Sequence, residues 1–153
     1  MVKSSKVKTS KHELIRRMKQ LLKKYFKDKE EIKAAYLYGS IVIGRDLKDS
    51  DVDIALLTTP YKDHIESYKA RVKYHTDISR LIKKDVDLVF LQEVGELLAF
   101  QILREGKVIF ERDRNMHRSF RATRLIQCLD YQFLENRMQK GMIAAMRRSV
   151  IGQ

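Results

Sequence analysis

Two segments of this chain alternate with a period of two, and each opens on aspartate: Asp51-Val52-Asp53-Ile54-Ala55-Leu56-Leu57 and Asp85-Val86-Asp87-Leu88-Val89-Phe90-Leu91. Aspartate is disfavoured in strands, whereas apolar residues at every second position call for a strand with a buried face. Asp51 and Asp53, two residues apart, project from one face, about 7 Å from each other along the strand. Asp87 joins them if the two strands are neighbours in one sheet. Three carboxylates on one face repel each other unless something positive holds them together. With no His/Cys cluster beside them, these hard oxygen donors suit magnesium, as a pair of ions bridged by an aspartate. The plainer alternative is that the acids merely cap strand ends. It suits Asp51, directly after Ser50, better than Asp53 or Asp87, each of which opens a mostly apolar run.

The segment upstream supplies the complement. Residues 34–38 form a short apolar run ending at Gly39-Ser40, which reads as a buried strand opening into a turn and a short helix. Such a turn offers backbone N–H groups and a hydroxyl to an anion, and glycine lets phosphate oxygens approach the main chain. A Gly-Ser pair alone carries no information. Followed by ten residues, then Asp51-x-Asp53, then a third aspartate on a later strand, it becomes a specific combination. Gly44, Asp46, Asp49 and Ser50 read as turn residues between the two halves, and Pro60 closes the second strand.

Helical spacing fills the remainder. Ser10, a candidate N-cap with Glu13 three residues on, precedes apolar positions from Leu14 to Phe26. Further helices are expected over 63–84 and over 95–105, the latter stopped by Gly106. A strand over 107–110 and one long or broken helix over about 115–148 complete the pattern. The fold class is thus α/β (α+β), a small mixed sheet flanked by helices with a long C-terminal helix. Residues 1–10 are polar and basic without periodicity and read as a flexible arm ahead of one domain spanning 11–153. A chain of 153 residues has room for one core and no second folded module.

Charge divides unevenly along the chain. Residues 1–33 hold 12 Lys/Arg against 4 Asp/Glu, residues 34–112 hold 12 against 13, and residues 113–153 hold 8 against 3. Basic ends around a near-neutral middle suit solvated helix faces, or a nucleic-acid, nucleotide or acidic-partner surface. The longest apolar runs are only a few residues, so no membrane span is expected. The single cysteine, Cys128, permits no internal disulfide, and the charged start Met1-Val2-Lys3 lacks a signal peptide's apolar stretch. A cytoplasmic protein is expected. His12, His64, His75 and His117 show no ligand spacing and read as surface or satisfied core, and Cys128 reads as a packed small hydrophobe. Met138, Met142 and Met146, spaced by four beside Arg147 and Arg148, lean toward a protein interface.

Tyr38-Gly39-Ser40, ten intervening residues and Asp51-Val52-Asp53 resemble the motif of the polymerase-beta-like nucleotidyltransferase superfamily. Among its branches the chain is most similar to the minimal nucleotidyltransferases that act as antitoxins of HEPN-domain toxins. The similarity runs over about residues 12–147, through Val86-Asp87-Leu88-Val89, residues 102–111 and Leu129-Asp130-Tyr131. That resemblance implies that Asp51, Asp53 and Asp87 bind magnesium and carry catalysis, that Gly39 and Ser40 hold the triphosphate of ATP, and that AMP passes to a tyrosine of the toxin partner. Many members read Gly-Ser-x-Ala-Arg-Gly, whereas here Arg45 follows the second glycine, so no phosphate contact is assigned to it. Two other functions fit the same residues: nucleotide transfer to a small molecule or an RNA end, and a non-catalytic antitoxin acting by contact alone. The small-molecule enzymes generally carry an added acceptor domain, for which this chain has no room. Direct nucleic-acid binding by the basic ends stays open but is not favoured, because a pure binding protein has no use for three converging negative charges.

Overall fold

A computed structural model of the chain describes residues 2–44 and 51–152, with side chains from residue 11 onward. Arg45 and the expected turn residues Asp46, Asp49 and Ser50 lie outside the described residues. The elements follow in the order α1 (Val2–Lys27), β1 (Ile32–Tyr38), α2 (Ser40–Ile43), β2 (Val52–Thr58), α3 (His64–Ile82), β3 (Val86–Phe90), α4 (Glu96–Glu105), β4 (Lys107–Glu111) and α5 (Arg114–Ile151). The strands form one mixed sheet in the order β3-β2-β1-β4. β1 pairs antiparallel with β2 and β4, while β2 and β3 run parallel across the α3 crossover. Backbone bonds zip both ends of that parallel pair, from Val52 N–H to the Asp85 carbonyl (2.9 Å) and from Leu91 N–H to the Leu56 carbonyl (2.8 Å).

Alternation along the strands sends side chains to two cores. On one face Leu37, Ile54, Leu56, Leu88 and Phe90 pack against Leu22 and Phe26 of α1 and Tyr74 and Ile78 of α3. On the other, Tyr36, Ala55 and Leu57 meet Ala99, Ile102 and Leu103 of α4 and Cys128 of α5. Helices thus cover both faces of the sheet, which is why its central strands carry apolar residues at nearly every position.

Side chains fix where the helices attach. Arg112, at the end of β4, donates to the carbonyls of Phe26 (2.9 Å), Lys27 (3.1 Å), Lys29 (2.9 Å) and Ile32 (3.0 Å), satisfying acceptors at the C-terminal end of α1. His117 of α5, only 2 % exposed, hydrogen-bonds both the Tyr36 hydroxyl of β1 and Glu111 of β4, the latter at 2.6 Å. It is a satisfied core histidine, and Cys128 is fully buried as a small hydrophobe. Arg124 ties α5 to the start of α4 through the Val94 carbonyl (2.5 Å) and Glu96 (3.4 Å).

Two helices run longer than their sequence patterns suggest. α1 begins at Val2 rather than after Ser10, so residues 2–10 continue a helix where a loose arm was expected. That stretch holds no glycine or proline, and its lysines are good helix formers. α5 is one unbroken helix of 38 residues whose buried residues are His117 and Cys128. From Asn136 to Gly152 every residue is exposed, Met138, Met142 and Met146 at 62 %, 57 % and 60 %. Among the described residues, no helix is long and apolar enough to cross a membrane.

Candidate active site

The acidic residues meet where β1 ends and β2 and β3 begin. In the sheet register Tyr38 of β1 stands opposite Asp53 of β2, and Asp53 stands beside Asp87 of β3. Paired neighbours share a face, so these three residues form a row about 4.8 Å from strand to strand. The row continues the face that carries Tyr36, Ala55 and Val89, at the edge of the core covered by α4 and α5. Asp51 lies one residue ahead of β2 and is exposed, Asp87 is also exposed, and Asp53 is partly buried between them. The condition placed on Asp87 is thus met by the strand pairing, while Asp51, one residue ahead of β2, lies outside the paired register.

Gly39 shapes the other side of the site. Its φ of 71° lies in the left-handed region, and a Cβ there would overlap Oδ2 of Asp53 and stand 2.9 Å from its Cγ. Only glycine allows the turn to press this close. Directly after it, the Ser40 backbone N–H donates to the Asp53 carboxylate. α2 closes with Gly44, at φ 83° in the left-handed conformation.

Electrostatics mark Asp53 as the strained member of the row. Burial, then the charges of Asp87 and Asp51, push its carboxyl above the ordinary range, against the opposing pull of the Ser40 N–H. The Tyr38 hydroxyl is likewise raised, by burial first and then by Asp87 and Asp53. Among the described residues, no three His, Cys, Asp or Glu side chains converge closely enough to hold a metal ion as they stand. Asp51 and Asp87 are both exposed to water. The donor set nonetheless fits a hard divalent ion, since Asp53 already carries the electrostatic cost of both neighbours that such an ion would remove.

The sequence pattern groups Gly39, Ser40, Asp51, Asp53 and Asp87, and includes Tyr38 in the motif without giving it a role. Its position immediately before Gly-Ser was the available signal.

Comparisons with known proteins converge on this region. The model of the Polymerase beta, Nucleotidyltransferase family matches residues 20–115, which contain the whole constellation. The chain is 30 % identical over 80 residues to the protein adenylyltransferase MntA of Shewanella oneidensis, a stretch that is 52 % of this chain and 55 % of that protein. It thus spans about half the length of that curated relative. Among solved structures it resembles a chain of a toxin–antitoxin complex with AMP-PNP, with a TM-score of 0.63, 24 % identity, and coverage of 84 % of this chain and 98 % of the other. It also resembles a chain of the tri-AMPylated Shewanella oneidensis HEPN toxin in complex with an MNT antitoxin, with a TM-score of 0.56, 22 % identity and coverage of 89 % and 98 %. At these identities the likeness speaks for the fold.

Proposed function

The chain belongs to the polymerase beta nucleotidyltransferase family, and on that footing we propose that it is an antitoxin that transfers AMP from ATP to a tyrosine hydroxyl of a cognate HEPN toxin. The observation that carries this reading is the in-register pair Asp53–Asp87 pressed against the Gly39–Ser40 turn. The similarity to an adenylyltransferase, and to complexes that hold an ATP analogue or an AMPylated toxin, supports ATP as substrate and a HEPN protein as acceptor.

In the reaction, the tyrosine oxygen attacks the α-phosphorus in line, a new P–O bond forms, and the bond to the β-phosphate breaks to release pyrophosphate. Positioning and charge neutralisation supply most of the rate in such transfers. Asp51, Asp53 and Asp87 would hold magnesium, two ions by this reading, which when bound offsets triphosphate charge and acidifies the incoming hydroxyl. The backbone of Gly39 and Ser40 cradles the triphosphate, as the absence of a side chain at residue 39 permits. Asp87, the more exposed partner in the pair, accepts the tyrosine proton. The exposed apolar residues on the outer half of α5 give the toxin a surface to dock on.

The test combines the purified chain and its toxin with ATP and magnesium and weighs the toxin by mass spectrometry. Mass increments of one AMP are expected, and none with Asp87→Ala, whose transfer should fall about 100-fold or more. An unmodified toxin that is nonetheless neutralised would replace this reading with inhibition by contact.

A further inference from the structure

α5 crosses the sheet and then leaves it. His117 bonds it to Tyr36 of β1 and Glu111 of β4. Seven residues later Arg124 donates to the carbonyl of Val94, whose own N–H bonds the Phe90 carbonyl at the end of β3. Seven residues of helix advance about 10 Å, which matches the two strand spacings of about 4.8 Å each between β1 and β3. β3 is an outer strand of the sheet, so the helix beyond Arg124 passes its edge. From Asn136 onward every residue is exposed, over roughly 25 Å of helix.

This outer segment has two unlike faces. Leu134, Met138, Met142, Met146 and Val150 follow one another at every fourth position, and all are more than half exposed. Such a row makes a ridge inclined to the helix axis. It continues the core face of α5: Met146 follows the buried Cys128 by eighteen residues, about five full turns, and points the same way. Arg137 follows Cys128 by nine, about two and a half turns, and points the other way. By the same geometry Lys140 and Arg147 stand along the margin of the ridge. After Glu135 the sequence holds no acidic residue. A long apolar ridge in water marks a contact surface, and charge decides what covers it. Two copies laid ridge to ridge would set the cations of both together with no carboxylate from either segment, which disfavours a second copy.

We propose that the cognate HEPN toxin lays an amphipathic helix with acidic margins along this ridge, beside the β3 edge. The identity of the partner rests on the AMP-transfer reading, whereas the ridge and its direction do not. The location suits that reaction, because Asp87 is exposed on β3 three residues before Phe90, about 10 Å along the strand. A partner seated between the ridge and the sheet edge faces the strand that carries Asp87.

Calorimetry of the full chain with the toxin, in the absence of nucleotide, reads the docking alone. Met138→Glu/Met142→Glu should weaken binding about tenfold or more, with the thermal midpoint unchanged because both residues are exposed. Lys140→Glu/Arg147→Glu should weaken it most at low salt. Two alanines inserted between Asn136 and Arg137 turn the ridge by about 200° and should weaken binding to a similar degree. The same insertion after Ile151 should leave it unchanged. Equal binding by either glutamate variant or by the inner insertion, weakened binding by the outer one, a chain that dimerises through the ridge, or a ridge that prefers phosphatidylserine vesicles to the toxin would each overturn the proposal. A toxin that binds through the ridge yet gains no AMP once ATP and magnesium are added would sink the transfer reading and leave the docking in place.

Discussion

Gly39 cannot carry a side chain without displacing Asp53. Gly39→Ala should therefore cost about 1–2 kcal/mol for the left-handed backbone alone and push the carboxylate out of its row. Its expected signature is a lowered unfolding midpoint together with loss of AMP transfer; unchanged transfer would mean that the close approach is incidental. Asp53 makes a different prediction. Its raised carboxyl holds a proton more tightly in the folded chain than in the unfolded one, so its contribution favours the fold below the ordinary carboxylate range. That contribution is lost as pH rises through the raised value. Asp53→Asn keeps an oxygen to accept the Ser40 N–H while removing the charge. It should melt higher than the parent at pH 7, by a margin that shrinks as pH falls toward about 3.9, the free carboxylate value. A margin that stayed constant with pH would contradict the electrostatic account.

The helices show what pattern reading can and cannot reach. α3, α4 and α5 were legible because apolar spacing runs along them and Gly106 marks the end of α4, whereas the capping by Asp63 and Asp113 shows only in the structure. The start of α1 was not, because residues 2–10 have no apolar rhythm, and helix propensity without a packing face leaves no periodic signal. The same limit hid the attachments. Nothing in the sequence pairs Arg112 with the end of α1, yet its contacts to four carbonyls hold β4, α1 and β1 together. Arg112→Ala should lower stability by about 1–3 kcal/mol, measured by denaturant unfolding, because four carbonyls, two of them in partly buried bonds, lose a charged donor. The outer half of α5 should behave in the opposite way. Since its buried residues are His117 and Cys128, truncation after Glu135 should leave the circular dichroism melt of the domain in place while abolishing co-purification with the toxin. Retained co-purification would move the docking surface elsewhere.

Between its layers the protein keeps its charges apart. The basic N-terminal helix covers one face of the sheet, the basic C-terminal helix meets the other, and the acidic row lies at the strand ends. The motif spacing made the row legible, since its members fall on two strands of clear alternation. The strand order β3-β2-β1-β4 was not, because alternation says which residues share a face and not which strands are adjacent. If the acids hold magnesium, magnesium and AMP-PNP added together should raise the unfolding temperature, and the rise should continue with the logarithm of ligand concentration beyond saturation. Asp53→Asn/Asp87→Asn should remove that rise, and calorimetry at matched ligand concentrations would decide it.

The parallel pairing of β2 with β3 has a consequence for synthesis. Asp53 and Asp87 meet only after the α3 crossover has been made and has folded back. A chain still on the ribosome can therefore form the glycine turn and its first aspartates early, yet remain chemically silent until the stretch through Leu91 has emerged. On the proposed reading competence would arrive late, with the closing of a long-range loop, and a product truncated before Leu91 would carry the motif without the transfer.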